Sequence, residues 1–176
     1  MALFGRVDFV NNPSSLLWLK VVSEKAFLAW SIPSETSLIF NVDGAAVGGF
    51  GRAGIGGVMR NSENKMFIMF SKFIGFFDAS SAELLATRDA LPLFSVFRWS
   101  NLKLVFEFDC KLCCDWLEKS SSAPDAFKYV IEDIIQYGAG LDWFIKVIPR
   151  EENSTIDCLA KSEISRKVPF VWVCQD

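Results

Sequence analysis

Four carboxylates stand far apart in this 176-residue chain, each where a strand pattern ends or a helix pattern begins. Asp43 ends the run Phe40-Asn41-Val42-Asp43 and is followed at once by Gly44. Glu83 opens a long helical pattern, Asp109 closes the alternating run from Leu102 to Phe108, and Asp157 falls early in a helical pattern that begins near Asn153. Acids at strand ends and helix starts, drawn from separate segments, can converge on one point in a sheet-based fold. Converging carboxylates repel each other unless a divalent cation sits between them, and oxygen-only donors suit a small, hard cation. A hard-metal site is therefore the first expectation. Each acid also has a plainer role open to it. Asp43 could be a strand-end acid before a turn. Glu83 could complete a capping box, worth about 0.5–2 kcal/mol. Asp109 could cap the helix after it, and Asp157 could be a first-turn acid favoured by the helix dipole. Asn153 reads as an N-cap or a substrate contact, and Arg150 as a solvated cation or a phosphate contact. Glu107, Asp115, Glu132, Asp133, Glu151 and Glu152 read as solvated surface.

The elements that must position these acids follow from periodicity. Leu38, Phe40 and Val42 alternate with Ser37, Ile39, Asn41 and Asp43, the mark of a strand. The stretch Gly48 to Gly57 holds six glycines and reads as a turn leading into a second strand, about Ala53 to Arg60. Asn61 to Lys65 is a polar hairpin turn, and Met66 to Ile74 a third strand. Ser80-Ser81-Ala82-Glu83 fits a capping box with Ser80 at the N-cap, opening a helix that runs through Pro92 to about Arg98. Leu102 to Phe108 is a fourth strand, and Cys110 to Lys119 a short helix ended by Ser120-Ser121-Ser122. Pro124 starts a helix with the apolar stripe Phe127, Val130, Ile131, Ile134 and Ile135, stopped by Gly138 and Gly140. Leu141 to Ile148 is a fifth strand, and Asn153 to Arg166 the last helix. The order β-β-β-α-β-α-α-β-α predicts an α/β domain: a mixed five-stranded sheet, three antiparallel strands and then two parallel ones, with helices on both faces.

Composition bounds the class. The chain is 51% hydrophobic and 14% aromatic, with 17 Phe and 6 Trp, enough for one domain with a real core and too apolar for disorder. Trp99, Trp116 and Trp143 are expected to pack. The apolar stretch Met66 to Phe77 is broken by Lys72 and too short to span a bilayer. Met1 to Val10 carry Arg6 and Asp8 and lack a continuous apolar core, so neither signal peptide nor membrane anchor is expected, and a nuclear or cytoplasmic location follows. A net charge of −3 argues against non-specific nucleic-acid binding through charge alone. It leaves room for an enzyme whose acids hold cations and whose cations meet phosphates. Among 5 cysteines, Cys110, Cys113 and Cys114 cluster, with no histidine in the chain to complete a zinc set. Packed free thiols are the plainer expectation there, a redox pair the sharper one. Residues 1–36 read as a tail or a remnant of a larger parent, 37–168 as the domain, and 169–176 as a C-terminal tail.

Five runs in this order resemble a type 1 ribonuclease H domain: Phe-Asn-Val-Asp-Gly-Ala-Ala at 40–46, Ala-Gly-Ile-Gly-Gly-Val-Met-Arg at 53–60, Ala-Glu-Leu-Leu-Ala at 82–86, Glu-Phe-Asp at 107–109, and Pro-Arg-Glu-Glu-Asn-Ser-Thr-Ile-Asp-Cys-Leu-Ala-Lys at 149–161. The likeness is to the plant-type, reverse-transcriptase-like branch found beside retrotransposon-derived sequence, and the stretch Trp30 to Pro33 resembles that branch's lead-in. The resemblance implies a ribonuclease H-like fold and a metal-dependent nuclease that cuts the RNA strand of RNA–DNA hybrids, acting as a monomer. It implies two Mg²⁺ ions, replaceable by Mn²⁺. Asp43 would be shared by both, Asp157 would hold the ion that activates the attacking water, and Glu83 and Asp109 the ion at the leaving oxygen. It places substrate contacts at Gly44, where the backbone would approach the RNA, and at Ser80, Arg150 and Asn153, with 2′-hydroxyls telling RNA from DNA.

The chain also departs from that pattern. It has no histidine, whereas many members carry one after the fifth strand; Val147 and Arg150 occupy that neighbourhood, and arginine is a poor proton carrier. Between Asp115 and Tyr129 only Lys119 and Lys128 are basic, so the basic grip some members use is absent. Ser80 stands where Asn is common and Phe108 where Ser is common. These departures keep a second expectation open, a non-catalytic nucleic-acid-binding module of the same fold, and a third, another nuclease or integrase of that fold.

Overall fold

The computed structural model describes residues 8–9, 36–97, 99–165 and 169–174. The expected helix at Leu16 to Trp30 and the lead-in at Trp30 to Pro33 lie outside the described residues. The strands are β1 (Asp8–Phe9), β2 (Ser37–Ala46), β3 (Gly51–Arg60), β4 (Met66–Phe77), β5 (Lys103–Phe108), β6 (Trp143–Val147) and β7 (Phe170–Val173). The helices are α1 (Ala79–Ser95), α2 (Lys111–Glu118), α3 (Asp125–Tyr137) and α4 (Ser154–Glu163), with a 3₁₀ turn at Arg150–Asn153 leading into the last.

One sheet holds all the strands among the described residues, in the order β1-β7-β4-β3-β2-β5-β6. Its centre is the expected five-stranded arrangement. β2, β3 and β4 form an antiparallel meander, β5 joins β2 in parallel, and β6 joins β5 in parallel. The sheet is wider than expected because β7 pairs antiparallel with β4 and β1 pairs parallel with β7. Residues 170–173, expected to be a tail, are thus part of the sheet. Alternation over four residues is too short a pattern to separate a strand from a tail.

Two cores flank the sheet, set by strand parity. Leu38, Phe40 and Val42 of β2 and Leu104, Phe106 and Phe108 of β5 point to the face covered by α1 and α3. Val58, Met69 and Phe170 point to the other face, where Ile156 and Leu159 of α4 cover them. Phe40 lies edge-on to Phe70 at 5.9 Å and stacked on Phe106 at 5.7 Å, so three rings run across the sheet. Gly57 of β3 lies between Phe40 and Phe70; a Cβ there would stand 2.4 Å from the Phe70 ring and 3.0 Å from the Phe40 ring. The tryptophans pack as expected, Trp116 stacking on Phe127 at 4.8 Å.

Two local expectations need correction. The N-cap of α1 is Asp78 and not Ser80: the Asp78 carboxylate accepts from the Ser81 N–H at 2.9 Å and from the Ser81 hydroxyl at 2.6 Å. β4 runs to Phe77 and passes directly into the helix, so the cap falls on the first residue after the strand. The second strand also starts earlier than expected, at Gly51 rather than Ala53, and ends at Arg60 as expected.

Candidate metal centre

Asp43, Glu83 and Asp109 converge. Each offers a carboxylate oxygen, and those oxygens all lie within 4.8 Å of one another. Three separate elements bring them there: β2, the first turns of α1, and the exit of β5. The parallel register that pairs Asn41 with Glu107 carries Asp43 and Asp109 side by side, each two residues further on. Glu83 arrives because α1 approaches β2 very closely. A Cβ on Gly44 would stand 2.2 Å from the Ala82 carbonyl carbon and 2.3 Å from the Glu83 nitrogen. Gly44 therefore makes room for the helix that carries Glu83. The Asp78 cap leaves Glu83 free of capping duty, and its carboxylate turns to Asp43.

Asp43 is 3% exposed and Glu83 7% exposed, so two acids meet away from water. Burial pushes the Asp43 carboxyl from 3.8 up to about 7, with the charges of Asp109 and Asp157 adding, while hydrogen bonds from Glu83 and from the Gly44 N–H (2.8 Å) oppose the rise. Burial and the charge of Asp43 push Glu83 well above the ordinary range, so the pair shares a proton. Burial also raises Asp109, with Arg150 pulling the other way. One Glu83 oxygen, Oε2, is buried with no hydrogen-bond partner among the described residues. A buried, oxygen-only, mutually repelling set with an orphaned acceptor fits a hard divalent cation, which would displace the shared proton.

Asp157 stands at the rim rather than in the tight cluster. It is half-buried, close enough to Asp43 and Asp109 to raise both, and held by Lys161 at 2.5 Å and by Arg150 at 3.9 Å. α4 reaches this position by lying close against β3: a Cβ on Gly56 would meet Leu159 at 2.9 Å, and one on Gly54 the Ala160 carbonyl at 2.4 Å. Arg150 is 76% exposed and spans Asp109 and Asp157, with 3.9 Å to each. Ser80 is half-buried in the first turn of α1. Asn153 is wholly buried, and its amide donates to the Val42 carbonyl at 3.0 Å, tying the start of α4 to β2 beside Asp43. It stands at the N-cap position of α4 and makes no side-chain cap of that helix. Asp109 likewise is not a cap; Cys110 holds the N-cap position of α2.

The reading of Glu107 as solvated surface is overturned. Glu107 is 0% exposed and accepts from Asn41 at 2.7 Å and from Lys146 at 3.0 Å, with Arg60, itself 0% exposed, at 3.5 Å. Parity carried the signal: Asn41 and Glu107 share the face of Asp43 and Asp109, on two adjacent central strands.

A mixed sheet whose central antiparallel meander continues into parallel βα units, with three acids gathered at the ends of its central strands, defines the ribonuclease H-like class. The family model described as reverse transcriptase-like matches residues 41–163, and the chain belongs to that family. Among solved structures, it is similar to ribonuclease H1 from the halophilic archaeon Halobacterium salinarum, with 23% identity, a TM-score of 0.67, and coverage of 73% of this chain and 97% of that one. It is similar to LC11 ribonuclease H1, solved in complex with an RNA/DNA hybrid, at 23% identity and a TM-score of 0.67, covering 72% and 96%. The foamy viral protease-reverse transcriptase in complex with an RNA/DNA hybrid matches at 14% identity and a TM-score of 0.60, over 74% of this chain and 20% of that one. At these identities the likeness shows the fold. No curated protein sequence matches the chain. Among the described residues no helix is long and apolar enough to cross a membrane.

Proposed function

We propose that this chain is a metal-dependent endonuclease that hydrolyses the RNA strand of RNA–DNA hybrids as a monomer. The observation that carries the reading is the cluster of Asp43, Glu83 and Asp109, buried together with an unpaired Glu83 oxygen. Asp43, Glu83, Asp109 and Asp157 would hold two divalent cations, Mg²⁺ or Mn²⁺. When bound, such ions supply charge neutralisation at the phosphate and a water of lowered pKa. The chain's own groups do the rest. The Gly44 N–H fixes one oxygen of Asp43, and Asn153 holds β2 against the start of α4, so the acids are oriented before substrate arrives. The Arg150 guanidinium would meet a phosphate of the substrate; its exposure and its position 3.9 Å from both Asp109 and Asp157 support that role, and the chain has no histidine to share it. Ser80 is the remaining candidate contact. The order of the five sequence runs supports placing the chain in the plant-type, retrotransposon-related branch.

The missing histidine and the net charge of −3 favour a second reading, a binding module that retains the fold without turnover. One assay separates them: an end-labelled hybrid incubated with Mg²⁺ or Mn²⁺, wild type beside Asp109→Asn. The nuclease reading expects products with 5′-phosphate and 3′-hydroxyl ends, from the hybrid and not from duplex DNA, and a loss of about a hundred-fold or more in the variant. An intact hybrid with both ions, together with a gel shift in EDTA, would establish the binding module instead.

A further inference from the structure

The passage from β5 into α2 carries two thiols that the proposed chemistry does not use. Cys110 and Cys113 are both free, and the Cys110 Sγ donates to the Cys113 Sγ at 2.9 Å. That is well inside ordinary sulfur–sulfur contact, and a disulfide needs the gap closed to about 2.05 Å. The C-x-x-C spacing produces the approach, since Cys110 is the N-cap of α2 and Cys113 lies in its first turn. The two differ in access. Cys110 is half-buried and reachable, whereas Cys113 is 0% exposed, the division between an attacking and a resolving thiol. The location gives the pair a consequence. Cys110 directly follows Asp109, and the Cys113 Sγ lies 3.9 Å from the Ser80 carbonyl, in the first turn of the helix that carries Glu83. The thiols thus sit between the two elements that set the separation of Asp109 from Glu83.

We propose that Cys110 and Cys113 form a reversible disulfide whose closure shifts Asp109 and weakens the hold of the acidic cluster on a divalent cation. Only the second half of this rests on the metal reading above. With hydrogen peroxide as the oxidant, the Cys110 sulfur attacks one peroxide oxygen. The O–O bond breaks, and the departing oxygen leaves as water with the thiol proton. The Cys113 sulfur then attacks the resulting sulfenic acid; the S–S bond forms, the S–O bond breaks, and a second water leaves. Two thiols lose two electrons and two protons, and one peroxide becomes two waters. A small dithiol reverses the change by exchange.

Lys111 lies between the two cysteines, so trypsin separates Leu104–Lys111 from Leu112–Lys119 unless a disulfide joins them. The full-length protein is treated with peroxide, alkylated, digested and mapped by mass spectrometry, and Mn²⁺ affinity is measured by calorimetry before oxidation, after it, and after reduction. The expected result is a Cys110–Cys113 link that survives in Cys114→Ser and vanishes in both Cys110→Ser and Cys113→Ser. Mn²⁺ affinity should fall about ten-fold on oxidation, in the range produced by disturbing groups just behind metal ligands, and return with a dithiol. Neither serine variant should show the change. Oxidation that stops at sulfinic acid on Cys110 without a link overturns the proposal. A link with unchanged Mn²⁺ affinity overturns its regulatory half. Reduced protein that binds no Mn²⁺ removes the metal reading and the regulatory half with it, while the peptide map still decides the disulfide.

Discussion

Asp43 and Glu83 lie so close and so far from water that the protein must do something with their charge. In chelator, the pair keeps a proton that the unfolded chain would release. Asp43 titrates near 7 when folded against 3.8 in the open chain, and Glu83 moves in the same direction. A folded-state value above the unfolded one means that folding binds a proton across that window, so stability falls as pH rises through it. The metal-free protein is expected to lose thermal stability between about pH 4 and about pH 7, Mg²⁺ or Mn²⁺ to restore it at the upper end, and Asp43→Asn to flatten the slope. A thermal-melt series in EDTA checks this; a melting temperature that rises with pH over the same interval would count against a protonated pair. Glu107 presents the opposite case, a buried carboxylate matched to cationic and amide partners. Glu107→Ala removes the buried carboxylate that Arg60, Asn41 and Lys146 meet and should cost about 3–5 kcal/mol in urea unfolding. A change within about 0.5 kcal/mol, usual for a surface position, would sink that account.

At the scale of elements, close approach decides whether the acids meet. Adding a methyl at Gly44 drives it into the backbone of Ala82 and Glu83. Gly44→Ala is expected to lower stability by about 1–3 kcal/mol and to weaken Mn²⁺ binding as α1 backs away from β2. Calorimetry and denaturant unfolding of one sample read both effects, and unchanged binding would separate Gly44 from the site. The same positions show what was legible in the sequence. Alternation located β2, β3, β4, β5 and β6, and element ends pointed to the acids, because those signals are local. Close packing is not. Gly54 and Gly56 read only as part of the glycine-rich approach to the second strand, although they serve the close packing of α4, and nothing adjacent to them in the chain says so. At the start of α1, Ser80 with Glu83 and Asp78 with Ser81 both satisfy capping rules, and only the end of β4 chooses between them. Asp157 was expected among the other acids, but its place at the rim depends on how α4 lies on the sheet and on its pairing with Lys161 and Arg150.

At the scale of the whole molecule, β7 extends the sheet beyond β4 and carries β1 on its other side. Phe170 and Val171 are 2% and 4% exposed and enter opposite cores, Val171 on the α1 side and Phe170 on the α4 side. Four register pairs join β7 to β4, and the Cys174 N–H donates to the Phe67 carbonyl at 2.8 Å just beyond them. Removing residues 169–176 would withdraw two buried side chains worth about 1.5–3 kcal/mol each. It would also leave β4 with an open ladder carrying Phe67, Met69 and Ser71 toward solvent or toward another sheet edge. The truncated chain is expected to lose about 3 kcal/mol or more of unfolding free energy and to associate on size-exclusion chromatography. Because α4 shares its core with Phe170, the loss should reach the site as well, loosening Ile156 and Leu159 and with them the helix that carries Asp157. A truncated chain that stays monomeric, unfolds at the same urea concentration and binds Mn²⁺ equally would show that the domain closes at residue 168 and that β7 is an attachment to it.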